Sequence, residues 1–122
     1  MSLITVIFCL NAMLLLIHEI ESSFEQEWDI LRLPGGINGF LLLHVPIILL
    51  MFYGSIELSK GTVVGSIFGL VLGLGGLLPF FIHELFVRRK DHFNRLLSRV
   101  VIYANLGTGI ALLSLSFLSI FA

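Results

Sequence analysis

The chain has 122 residues and a formal net charge of −1, with 57% hydrophobic and 12% charged residues. Soluble domains carry about 25% charged residues, so a chain with a mean hydropathy of +1.06 cannot clothe a water-facing surface. Soluble enzymes and nucleic-acid binders are excluded, and the lipid bilayer is the expected surrounding.

Crossing about 30 Å of hydrocarbon takes about 20 apolar residues in a helix. Four stretches qualify: residues 3–21, 39–57, 62–87 and 96–121. Helices leave no backbone group unpaired in lipid, and no stretch alternates with period two, as a barrel would. The expected fold is therefore all-α, an integral membrane four-helix bundle forming one transmembrane domain over residues 1–122.

The first stretch has neither the basic start nor the small-residue cleavage site of a signal peptide, so it reads as a retained span. Its single Cys9 excludes an internal disulfide. Asn11, His18, Glu21, Ser22, Glu25, Trp28 and Asp29 recur at spacings of three, four and seven, which places them on one helical stripe. Glu19 points about 100° away from His18, so Glu21 or Glu25 is the expected carboxylate companion of His18. Glu27 and Asp29 read as solvated groups beyond the helix exit. The connection 22–38 is acidic and ends in Leu33-Pro34-Gly35-Gly36, a helix stop and turn.

In the second span, His44 lies about a turn and a half beyond that turn, between apolar residues, and Pro46 frees the carbonyl of Leu42. A short turn around Lys60 leads to the third span, where Gly61, Gly65, Gly69 and Gly73 repeat every four residues. Small residues at this spacing let helices approach closely, within the bundle or in a homo-oligomer. Gly75, Gly76 and Pro79 follow, and the proline is expected to kink the helix and turn His83-Glu84 inward. The next connection and helix start hold Arg88, Arg89, Lys90, Arg95 and Arg99, five of the seven basic residues. By the positive-inside rule this connection faces the cytoplasm. The chain is then expected in the cytoplasmic (inner) membrane, with both termini and Lys60 outside and connections 22–38 and 88–95 inside. Glu25, Glu27 and Asp29 could there pair with Arg88, Arg89 and Arg95. The fourth span carries a polar stripe of Asn94, Ser98, Asn105 and Thr108.

Ile17-His18-Glu19-Ile20 recurs as Ile82-His83-Glu84-Leu85, which fits two pseudo-symmetric helical hairpins related by an axis along the membrane normal. His18, His44 and His83 thus reach one depth near the cytoplasmic boundary, and ionisable groups at such depth face a bundle interior or a wet cavity. Imidazole with carboxylate is a divalent-metal donor set for zinc, iron or manganese. The expected ligands are His18, Glu21, His44, His83 and Glu84. In a metal-dependent enzyme acting on a lipid or small amphiphile, Glu21 or Glu84 would be the general base. The same residues would serve a proton- or ion-coupled transporter as a relay, or a non-catalytic subunit or sensor through histidine protonation. The di-iron Glu-x-x-His signature is absent, and the carboxylates argue against a haem.

His18-Glu19-Ile20-Glu21, Glu27-Trp28 and Leu33-Pro34-Gly35-Gly36 together resemble an uncharacterised family of bacterial four-helix membrane proteins with a His-Glu-Ile-(Asp/Glu) start, a Glu-Trp pair and a Leu-Pro-Gly-Gly turn. The chain is also distantly similar to the HXXEE membrane proteins, with His18 and Glu21 in the His-x-x-Glu positions and Ser22 at the place of the second Glu. The resemblance implies a four-span bundle in which the His18/Glu21 region matters, and it implies no activity.

Overall fold

A computed structural model describes residues 2–85 and 95–121. Five helices follow one another: α1 (Leu3–Phe24), α2 (Glu27–Ile30), α3 (Gly36–Ser59), α4 (Val63–Leu85) and α5 (Leu96–Phe121). All but the one-turn α2 are long and apolar enough to cross a membrane. Among the described residues there is no strand, and the fold is the expected all-α four-helix bundle.

The hydroxyl of Ser2 caps α1, accepting from the Thr5 amide at 3.4 Å and so serving one of the donors that a helix start leaves without partners. The helix runs three residues past the expected limit of its span before Gln26 turns left-handed, at φ 54°. That turn starts α2, an element the sequence reading leaves inside a loop, and it sends the chain back beneath the end of α1. Trp28 and Glu27 are both buried there. Gly35, at φ 94°, and Gly36, at φ 59°, then make the turn into α3, a conformation that only residues without a Cβ adopt freely.

α1 and α4 touch each other, and each also touches α3 and α5, whereas α3 and α5 do not meet among the described residues. α1 and α4 are therefore the central pair, flanked by α3 on one side and α5 on the other. The tightest crossing is α4 against α5. A Cβ on Gly109 would lie 2.8 Å from the Gly73 carbonyl oxygen, and one on Gly73 would lie 3.0 Å from the Leu113 amide nitrogen. Gly69 abuts Ser116 on α5, and Gly65 abuts the backbone of Leu58 across the short turn. Three of the four repeated glycines thus serve approaches within the bundle, and Gly61, at φ 74°, forms the turn itself.

Polar side chains fasten the interior. Asn11 on α1 donates from Nδ2 to the Leu72 carbonyl on α4 at 2.8 Å, and its Oδ1 accepts from the Thr108 hydroxyl on α5 at 2.7 Å. Ser66 and Ser119 meet at 2.8 Å. In lipid there is no hydrophobic drive between helices, so close packing and interhelical hydrogen bonds take over the role that apolar burial has in soluble bundles.

Candidate metal centre

His18 projects from the inner face of α1 and His83 from the inner face of α4, because these two helices are the central pair. Only 3% of His18 and none of His83 is exposed. Their Nε2 atoms stand 3.2 Å apart, and the rings meet edge to face at 73° with centroids 4.8 Å apart. α2 delivers Glu27 to the same place, with its Oε1 3.8 Å from His83 Nε2. One ligand atom from each of His18, Glu27 and His83 lies within 4.8 Å of the others, close enough to hold a metal ion. Ser22, one turn after His18, donates to the His18 carbonyl at 3.0 Å and lies 3.4 Å from its Nε2. Glu27 lies outside the spanning helices, and burial pushes its carboxyl above the usual carboxylate range, against the opposing pull of a Ser22 hydrogen bond.

Beside this group lies a second pair. His44 Nε2 on α3 stands 2.6 Å from Glu19 Oε2 on α1, and His44 Nδ1 donates to the Phe40 carbonyl at 2.7 Å. A carbonyl only accepts, so the Nδ1 proton is accounted for, and the short Nε2–Oε2 contact holds one shared proton. Whether that proton is drawn on the imidazole or on the carboxyl, the pair carries no net charge, which suits a low-dielectric interior. Glu19 and His44 border the same cavity as His18 and Glu27, so the two groups form one polar end of the bundle.

Of the residues expected from the sequence to ligate metal, the structure brings His18 and His83 together. It places the other three elsewhere. His44 pairs with Glu19. Glu21 accepts from Arg95 Nη1 at 3.0 Å and from the Ser98 hydroxyl. Glu84 faces outward, with the Tyr103 hydroxyl 3.4 Å away. Arg95 also donates to Glu25 at 2.8 Å, which joins the acidic connection to the start of α5. Arg88, Arg89, Lys90 and Asn94 lie outside the described residues.

Sequence reasoning missed Glu27. Its charge sits in an acidic connection that reads as solvated, and the clue was its neighbour Trp28, a large apolar side chain with little reason to be in a wet loop. Equivalent residues of the two Ile-His-Glu segments play matching parts. The histidines meet at the centre, while Glu19 reaches the next spanning helix at His44 and Glu84 reaches the one after it at Tyr103.

His18, Glu19, Glu27 and His44 also line a cavity of about 320 Å³ between α1, α3 and α4. Away from this polar end its walls are apolar, including Phe8, Leu15, Leu50, Met51 and Val71.

The sequence pattern of a family of unknown function (DUF6713) matches residues 4–119, so the chain belongs to that family. No curated protein and no solved structure matches it.

Proposed function

We propose that this protein is a membrane-embedded metalloprotein in which His18, His83 and Glu27 hold one divalent ion and a fourth position takes water or substrate. The observation that carries the reading is the 3.2 Å separation of two buried imidazole Nε2 atoms on different helices. With metal–nitrogen bonds of about 2.0–2.1 Å, two ligands on a tetrahedral ion sit roughly 3.3 Å apart. The pair is therefore preset for a shared ion, and Glu27 needs only a small shift to complete the set. Two histidines and one glutamate are a donor set that catalytic zinc sites use with an open position, whereas structural sites close all four. Zinc, iron and manganese all suit imidazole with carboxylate.

On this reading the ion supplies a water made acidic enough to act near neutral pH. Glu19 and His44, with one proton between them at the end of the same cavity, are the acid–base pair. Glu21 and Glu84, the bases expected from the sequence, are engaged elsewhere. The substrate is an amphiphile that reaches the ion from the bilayer. The face bearing α2 is proposed to be the cytoplasmic one, since Arg95 and Arg99 stand at the start of α5 at that end and the sequence just before them is rich in basic residues.

Equilibrium dialysis of detergent-purified, chelator-stripped protein against zinc, iron(II) or manganese(II) tests the reading. One ion per chain, lost in His18→Ala and in His83→Ala, is expected. Equal uptake by the wild-type and variant proteins would overturn it.

A further inference from the structure

The cavity beside the metal group is long and narrow. On α1 its wall runs from Phe8 to Glu19, and on α4 from Phe68 to Ile82. At 1.5 Å per helical residue these walls measure about 17 and about 21 Å along the bundle axis. Phe8 and Leu15 on α1 form a buried floor, while Ile47 and Leu50 on α3 and Val71 and Leu78 on α4 line it and are exposed to the surroundings. The slot therefore opens sideways, between α3 and α4, toward hydrocarbon. Its volume of about 320 Å³ is at the lower end of the range of ligand pockets, about 300–1,000 Å³. It is also twice the size of the ~150 Å³ apolar cavity that accepts benzene. A slot of that length and volume suits one extended hydrocarbon chain and is too small for two.

The polar end selects the head group. Among the described residues no Lys or Arg lines it, so an anionic head would be buried there without a cationic partner. A neutral head that donates a hydrogen bond fits the Glu19–His44 pair, whose imidazole nitrogens are taken by Phe40 and Glu19 and which leaves the second carboxyl oxygen of Glu19 as an acceptor. We propose that the slot binds a neutral single-chain amphiphile, an ester or amide of one fatty acyl chain. The chain would lie along α1 and α4 with the head at Glu19 and His44. That the bound amphiphile is the substrate rests on the metal reading above; that it binds does not.

Photolabelling tests this in liposomes containing the full chain. The probes are a monoacylglycerol, a palmitic acid and a phosphatidylcholine, each with a diazirine in the acyl chain, and labelled residues are mapped by mass spectrometry. The glyceride is expected to label the slot, at Ile47, Leu50, Val71 and Leu78, in preference to the other two probes. Two variants narrow the slot: Gly75→Leu, where a Cβ makes only an ordinary 3.6 Å contact with Leu15, and Val71→Trp on the exposed rim. Each is expected to cut slot labelling at least about tenfold while metal uptake is retained, and retained uptake also reports that the variant folds. Slot labelling that favours palmitic acid or phosphatidylcholine would overturn the proposal. So would label spread evenly over the lipid-facing helices and unchanged in both variants. Slot labelling without metal uptake would leave this binding site standing and remove the metal reading, and metal uptake without slot labelling would do the reverse.

Discussion

His83 has no exposed surface, Glu27 almost none, and Glu27 is a carboxyl that burial already pushes toward its neutral form. An ion shared with His18 would offset that cost, so the residue has opposite effects with and without metal. Glu27→Gln is expected to raise the melting temperature of the chelator-treated protein and to remove the stabilisation that added metal gives the wild type. A drop in the metal-free melting temperature would contradict this. Ser22 acts at one remove, through the His18 carbonyl and the Glu27 carboxyl. Groups that orient ligands are worth about 10–100-fold in metal affinity. Ser22→Ala should therefore weaken binding at least about tenfold in a competition titration, while His83→Ala abolishes it.

The two histidines at the centre were legible because an imidazole inside an apolar run has few other uses. The carboxylate was not. Helical spacing ties Glu21 to His18, but Glu21 lies where α5 begins, and Arg95 and Ser98 occupy it. The 100° offset of Glu19 from His18, which made it the weaker candidate, aims it at α3, where it meets His44. No spacing rule could place Glu27, since it depends on the left-handed turn at Gln26 that folds α2 under the bundle.

At the scale of elements, the glycine repeat pointed to a close-packing face and left its partner open. Gly69 and Gly73 meet α5 and Gly65 meets the end of α3, because α4 lies in the middle and has neighbours on two sides. The most telling position is on the other helix. Gly109 faces the Gly73 carbonyl, and backbone cannot step aside as a side chain can. Gly109→Ala should cost about 1–3 kcal/mol through overpacking, read as a lower melting temperature. Gly107→Ala, with open space around its Cβ, should have little effect. Equal melting temperatures for the two variants would contradict this packing.

For the molecule as a whole, the four spans were legible from hydropathy alone, because lipid demands a continuous apolar helix of fixed length. The pairing of helices was not, since all four outer surfaces are equally apolar and only small and polar residues distinguish the inner faces. Alternating spans put the α2 turn and the start of α5 on one side and Lys60 on the other. In a Cys9→Ala background, Arg32→Cys should react with a membrane-impermeant maleimide only after the membrane is opened, whereas Lys60→Cys should react in intact cells. The reverse pattern would overturn the proposed orientation and leave the bundle and its site unchanged.

The claim on which the rest depends is that two imidazoles from the central helices and one carboxylate from the turn hold an ion. X-ray absorption at the metal edge, on protein purified in detergent without added metal and on His18→Ala and His83→Ala in parallel, tests it most directly. About one divalent ion per wild-type chain is expected, with two imidazole nitrogens at about 2.0–2.1 Å and an oxygen ligand, and no ion in either variant. Metal at background in the wild type, or an ion whose surroundings are the same in all three proteins, would contradict it.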